Sequence, residues 1–127
     1  MKYTIYILIF IFTLFNGCAV LDLTPKSCSE SETSMSNIQK FFNKRFNEKY
    51  FSKGDTLGAM AEIRGLEKDI YHNKEYGSYG IYYGREVRKA QFYYNLMKKN
   101  YKYAKENNCN YSKFNEDPLY NIKSKLY

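Results

Sequence analysis

The chain has no tryptophan, one histidine, two prolines and three cysteines in 127 residues. Imidazole is the commonest metal ligand and the usual acid/base catalyst near neutral pH, so its scarcity sets most metalloenzyme and triad readings aside. His72 has no second His or Cys at ligand spacing, and neither CxxC nor a Cys/His cluster occurs. Acids are also short, 13 against 20 Lys plus Arg, which gives a formal net charge of +7. The carboxylates Glu62, Glu67, Asp69 and Glu75 are the raw material of a glycosidase, but each sits at a position expected on a helix surface, and nothing places a pair across a cleft. Glycine clusters at 77, 80 and 84 among tyrosines, without the Gly-Lys-Ser/Thr that a phosphate cradle needs. A helix-joining turn covered by tyrosines is the simpler account.

What is abundant is apolar, aromatic and basic. The chain is 44% hydrophobic and 26% charged, a globular balance, and its length supports one domain with one core. Its 15 Tyr and 9 Phe accompany many Lys, Asn and Ile, the residues that AT-rich coding supplies, so aromatic richness alone is a weak sign of a binding task.

Residues 5 to 15 (IYILIFIFTLF) form an apolar run after Lys2. The run falls short of the roughly 20 residues a spanning helix needs, and it fits the roughly 7 to 15 of a secretory leader. Leu14-Phe15-Asn16-Gly17-Cys18 resembles the bacterial lipoprotein signal, in which a small residue precedes a Cys that becomes the lipidated N-terminus. Gly17 and Cys18 carry the likeness; Phe15 and Asn16 depart from it. The resemblance implies a leader over residues 1–18 and a lipid anchor on Cys18. Ordinary cleavage around Gly17-Cys18-Ala19, or retention as a signal anchor, are the competing readings. Under either cut Cys28 and Cys109 remain as an even pair in an oxidising compartment, and a disulfide between them is the simplest assignment, with two free thiols as the alternative.

Residues 19–36 (AVLDLTPKSCSESETSMS) are Ser-rich with no sustained periodicity, and predict a flexible tether. The remainder, 37–127, predicts an all-α domain, a small bundle of three main amphipathic helices plus a short C-terminal one. Ile38, Phe41, Phe42, Phe46 and Tyr50 make the first apolar stripe, with Ser36 as N-cap. Met60, Ile63, Leu66 and Ile70 make the second, in a helix from Asp55 or Thr56 to about Tyr71, beside a small-residue face of Gly58, Ala61 and Gly65. Tyr83, Val87, Ala90, Tyr94, Met97, Tyr101 and Ala104 alternate spacings of four and three, the mark of a long helix buried along one seam. Asp117 before Pro118, then Leu119, Ile122 and Leu126, predict the last helix.

Beside the seam of the third helix lie Arg88, Gln91, Asn95, Lys98, Lys102 and Lys105, a face without an acid. Arg88, Lys98, Lys102 and Lys105 are the candidate partner-binding cations, and Tyr79, Tyr82 and Tyr93 the candidate aromatic anchors. A solvated helix surface is the plainer reading of the same residues. Gly80-Ile81-Tyr82-Tyr83 followed by Lys89-Ala90-Gln91-Phe92-Tyr93-Tyr94 resembles the helix-pair signature of Sel1-type and tetratricopeptide-like repeats, departing from it at Met97, Lys98 and Tyr101, and no second copy follows. That resemblance implies a protein-binding hairpin and no catalysis.

These readings converge on an expectation: a non-enzymatic lipoprotein of the cell envelope, facing the periplasm or cell surface, that binds an envelope protein and needs no cofactor. Support of secretion or pilus assembly, or immunity or entry exclusion, are the roles it fits. Anionic lipid or another polyanion is a further partner for the basic face. Nucleic acid suits the charge but not the compartment. The rival readings are a small envelope hydrolase acting on peptidoglycan, with Glu62 or Glu67 as its acid, and a secreted basic protein that acts on membranes.

Overall fold

The computed structural model describes residues 23–69 and 79–127, with side chains 79–84 outside that description. Every regular element among the described residues is a helix. The elements are α1 (Cys28–Lys49), a 3₁₀ turn (Phe51–Lys53), α2 (Thr56–Glu67), α3 (Tyr79–Glu106) and the single-turn α4 (Tyr120–Lys123). None of these helices is long and apolar enough to cross a membrane.

The expected tether is half helix. α1 starts at Cys28, with Ser27 rather than Ser36 as its N-cap. The Glu30 amide donates to Ser27 Oγ at 3.1 Å, and the Lys26 amide donates to Glu30 Oε2 at 2.8 Å. Ser27 and Glu30 stand at capping-box spacing; the Ser27 hydroxyl satisfies one orphaned helix amide, while the Glu30 carboxylate reaches the amide one residue before the cap. The added turns carry few apolar residues because one core position is serine. Ser31 is fully buried and its hydroxyl donates to the Asn100 carbonyl at 2.9 Å, tying α1 to α3. Met35, Ile38, Phe42 and Phe46 then continue the same buried stripe.

Gly54, at φ 67°, turns the chain out of the 3₁₀ segment in the left-handed conformation that glycine adopts without penalty. Asp55 caps α2, its carboxylate accepting from the Gly58 amide at 2.8 Å. The buried face of α2 is Ala59, Glu62, Ile63, Gly65 and Leu66. Of the expected stripe Ile63 and Leu66 are buried and Met60 is half-buried; of the small-residue face Gly65 is buried and Ala61 exposed, and the carboxylate of Glu62 takes an unexpected core position. α2 ends at Glu67, and Ile70 and Tyr71 lie outside the described residues.

α3 keeps the expected seam, with Val87, Ala90, Tyr94, Met97 and Ala104 buried and Tyr101 half-buried; Tyr83 lies outside the described side chains. Its C-terminus closes with Asn108 at φ 55° and the Cys109 amide donating to the Ala104 carbonyl at 2.8 Å. That is a Schellman-type stop, with asparagine in the left-handed position. Both halves of the repeat-like signature, at 80–83 and 89–94, fall within this one helix, so no turn separates them into a hairpin.

α1 packs chiefly on α3, and the core runs between them from Met35 to Tyr50, closed at its sides by Ile63 and Leu66 of α2 and by Leu119 and Ile122. The C-terminal segment is held by polar contacts. Gln39 Nε2 donates to the Pro118 carbonyl at 2.9 Å, and Lys123 Nζ lies 2.6 Å from both Asp117 and Glu67. Cys28 and Cys109 form a disulfide with Cα atoms 5.3 Å apart, joining the first turn of α1 to the exit of α3. Such bonds persist in oxidising compartments, which points outside the cytosol.

Candidate functional site

The chemistry on offer sits mostly on the outward side of α3. Arg88, Lys98, Lys102 and Lys105 are all exposed, together with Arg85, Lys89 and Lys99, and Glu86 and Glu106 are the acids among them. Two of these cations have neighbours that fix their stems. Lys98 Nζ lies 4.8 Å from the centroid of the Tyr94 ring, and Lys102 lies 4.0 Å from Glu106 one turn on. Exposed pairs of the second kind contribute little. Gln91 does not belong to this face. It is fully buried, with Nε2 donating to the Leu66 carbonyl at 3.2 Å, and so joins α3 to the end of α2. The reason is angular: Gln91 stands next to Ala90 and one turn before Tyr94 and Asn95, at the margin of the seam, where α2 covers it.

Of the aromatic anchors, Tyr79 and Tyr82 lie outside the described side chains. Tyr93 is half-buried, its ring 4.8 Å from Phe41 of α1 and 5.6 Å from Phe92. Lys89 Nζ sits 5.7 Å from the Phe41 ring and 5.8 Å from the Tyr93 ring, within cation–π range of both. Phe92 is 40% exposed. Phe92, Phe41 and Lys89 were not among the candidates from sequence. The legible signal was the spacing of Lys89, Phe92, Tyr93 and Leu96, a second helical stripe turned away from the seam. A shallow cavity of about 400 Å³ continues from Phe41 along α1, lined by Lys44, Arg45, Glu48, Lys49 and Glu86.

The two carboxylates considered as acids have cationic partners. Glu62 meets Arg45 in a bidentate pair, Nη2 to Oε1 at 2.5 Å and Nε to Oε2 at 3.1 Å, and Lys49 approaches to 3.6 Å. Burial alone pulls the Arg45 guanidinium down, but the hydrogen bonds and charge of Glu62, with smaller help from Tyr50 and Glu86, hold it above its ordinary value. Glu67 accepts from Lys123, and both carboxylates lie on α2. Among the described residues no group of three His, Cys, Asp or Glu side chains is placed to hold a metal ion; His72 and Cys18 lie outside them.

Tyr94 at the centre of the seam is pushed up to about 12, first by burial and then by the nearby charges of Asp117 and Glu67. The folded state therefore keeps a phenolic proton that the unfolded chain loses near 10. The stabilisation is complete below pH 10 and is lost as pH rises through 12, about 2–3 kcal/mol for a shift of this size. Burial pulls Lys123 down, but the hydrogen bonds and charges of Asp117 and Glu67 raise it, so its contribution also declines in the same direction, starting as pH rises through 10.5. Urea midpoints should therefore fall between pH 10 and 12, and Tyr94→Phe should flatten that fall. An unchanged slope in Tyr94→Phe would show that the loss arises elsewhere.

No protein-family profile, curated protein or solved structure matches the chain.

Proposed function

We propose that this protein is an exported, lipid-anchored helical module of the cell envelope that docks a protein partner without chemistry of its own. The observation that carries the reading is the surface of α3, which exposes Arg88, Lys98, Lys102 and Lys105 and also carries an aromatic shelf of Phe92 and Tyr93, with Phe41 of α1, under Lys89. Cations of this kind steer an acidic surface into place, and a partly exposed aromatic flanked by others is the usual anchor of a small interface. The disulfide and the leader-like opening support the compartment, and Gly17-Cys18 supports the anchor. Secretion or pilus support, and immunity or exclusion, are the roles that docking alone can perform.

The test is a photoreactive side chain at position 92 in the native envelope. A single crosslinked protein is expected, and Lys98→Glu with Lys102→Glu should reduce the yield about tenfold at low salt. The same photoprobe at Leu57, which is more exposed than Phe92, should not give that product. Crosslinks to lipid alone, or a product unaffected by charge reversal, would count against the reading. Intact mass from the membrane fraction should show a diacylglyceryl adduct starting at Cys18.

A further inference from the structure

A second concavity lies nearer the start of α1, between that helix and the segment that follows the disulfide. Residues 110–114 are held in place from several directions. Cys109 is bonded to Cys28, and the Asn110 amide donates to Glu32 Oε1 at 3.2 Å. The Ser112 hydroxyl donates to Asn110 Oδ1 at 3.0 Å, and the Phe114 amide donates to the Tyr111 carbonyl at 3.0 Å. The Tyr111 ring meets Tyr101 edge-on at 5.4 Å. Against this braced segment α1 sets Thr33, Asn37 and Lys40, spaced four and three so that they share one side of the helix. The groove between them holds about 480 Å³, and Asn110, Lys113 and Phe114 form its far wall. That volume is within the roughly 300–1,000 Å³ of small-ligand sites.

The lining selects among ligand classes. It offers two hydroxyls (Thr33 and Ser36), two carboxamides, two ammonium groups, one aromatic ring and one carboxylate, Glu32, which accepts from the Asn110 amide and leaves the lining one positive charge in excess. An apolar ligand leaves the amides and hydroxyls unpaired after taking their water, which costs about 1–3 kcal/mol per group. A simple polyanion satisfies the lysines but uses neither the carboxamides nor the ring. A pyranose has a C–H face for the electron-rich face of Phe114 and a rim of hydroxyls that both donate and accept, as carboxamides do. A carboxylate on that ring meets the two lysines. We propose that this groove binds a carboxylated sugar, such as a uronic-acid unit of an envelope or surface glycan. The braced wall lowers the ordering cost that makes sugar sites weak. The site shares no residue with the α3 face and stands or falls independently of it.

Amide shift mapping of the disulfide-bonded protein with trigalacturonate tests the proposal, with maltotriose as the neutral sugar and triglutamate as the sugar-free carboxylate. Saturable shifts at Thr33, Asn37 and residues 110–114 are expected with trigalacturonate, and weaker ones with maltotriose. Lys40→Ala with Lys113→Ala should weaken binding about tenfold. Asn37→Ala, at an exposed helix position, should also weaken it while leaving the fold intact. Lys98→Glu with Lys102→Glu on α3 should leave it unchanged. Equal binding of triglutamate, shifts confined to α3, or no saturable shift with trigalacturonate overturns it.

Discussion

Replacing Cys28 and Cys109 together with serine is expected to lower the unfolding free energy by about 4 kcal/mol, and the melting temperature of a domain this size by about 15–25 °C. The bond spans 81 residues, so its removal restores a large loop-closure entropy to the unfolded chain. In the folded chain the same bond joins two ends that have few other links. Near it, the Ser31 hydroxyl on the Asn100 carbonyl and the Glu32 carboxylate on the Asn110 amide also reach across from α1. Loss should therefore be uneven. Amide exchange in the first turns of α1 should accelerate in the serine variant well before exchange around Phe42 and Phe46. A shift of less than about 1 kcal/mol in urea would mean that the unfolded chain already holds these ends near one another.

The second large effect concerns Arg45 and Glu62, whose side chains are 7% and 4% exposed. Glu62→Ala should cost about 3–5 kcal/mol, because the guanidinium stays buried without its carboxylate. Glu86, 3.5 Å away but 87% exposed, is too well solvated to replace it. The double variant Arg45→Met with Glu62→Leu should recover most of that loss, since packed apolar side chains of similar size avoid the desolvation cost of the pair. Urea midpoints of Arg45→Met, Glu62→Leu and the double close the cycle, and additive losses would refute the coupling. The result also bears on any search for hydrolytic activity. A phenotype lost in Glu62→Ala would reflect instability as readily as chemistry, whereas the double variant removes the carboxylate and keeps the fold.

The seam of α3 and the aromatic ladder of α1 were legible because periodicity in a long amphipathic helix is a local property. Val87, Ala90, Tyr94, Met97 and Ala104 could be read as one buried line without knowing what covers it. The pairing of Cys28 with Cys109 followed from parity and compartment. The candidate cations were also placed correctly as exposed, since long charged side chains beside a seam reach water from almost any arrangement.

Polar residues in the interior were not legible, for a common physical reason. Whether Ser31, Glu62 or Gln91 faces water or core depends on the partner that a distant segment brings: the Asn100 carbonyl, the Arg45 guanidinium and the Leu66 carbonyl. Hydropathy at those positions argues for exposure, and only a pre-placed hydrogen bond or opposite charge reverses it. That is why the first turns of α1 read as a tether and why Glu62 read as a free acid. Spacing thus settled the main apolar lines of the helices, which depend on near neighbours in sequence, and the count of cysteines settled their pairing across 81 residues. Which polar groups were drawn inside, and which surfaces the bundle left open beside Phe92 and Phe114, depended on how separate helices met.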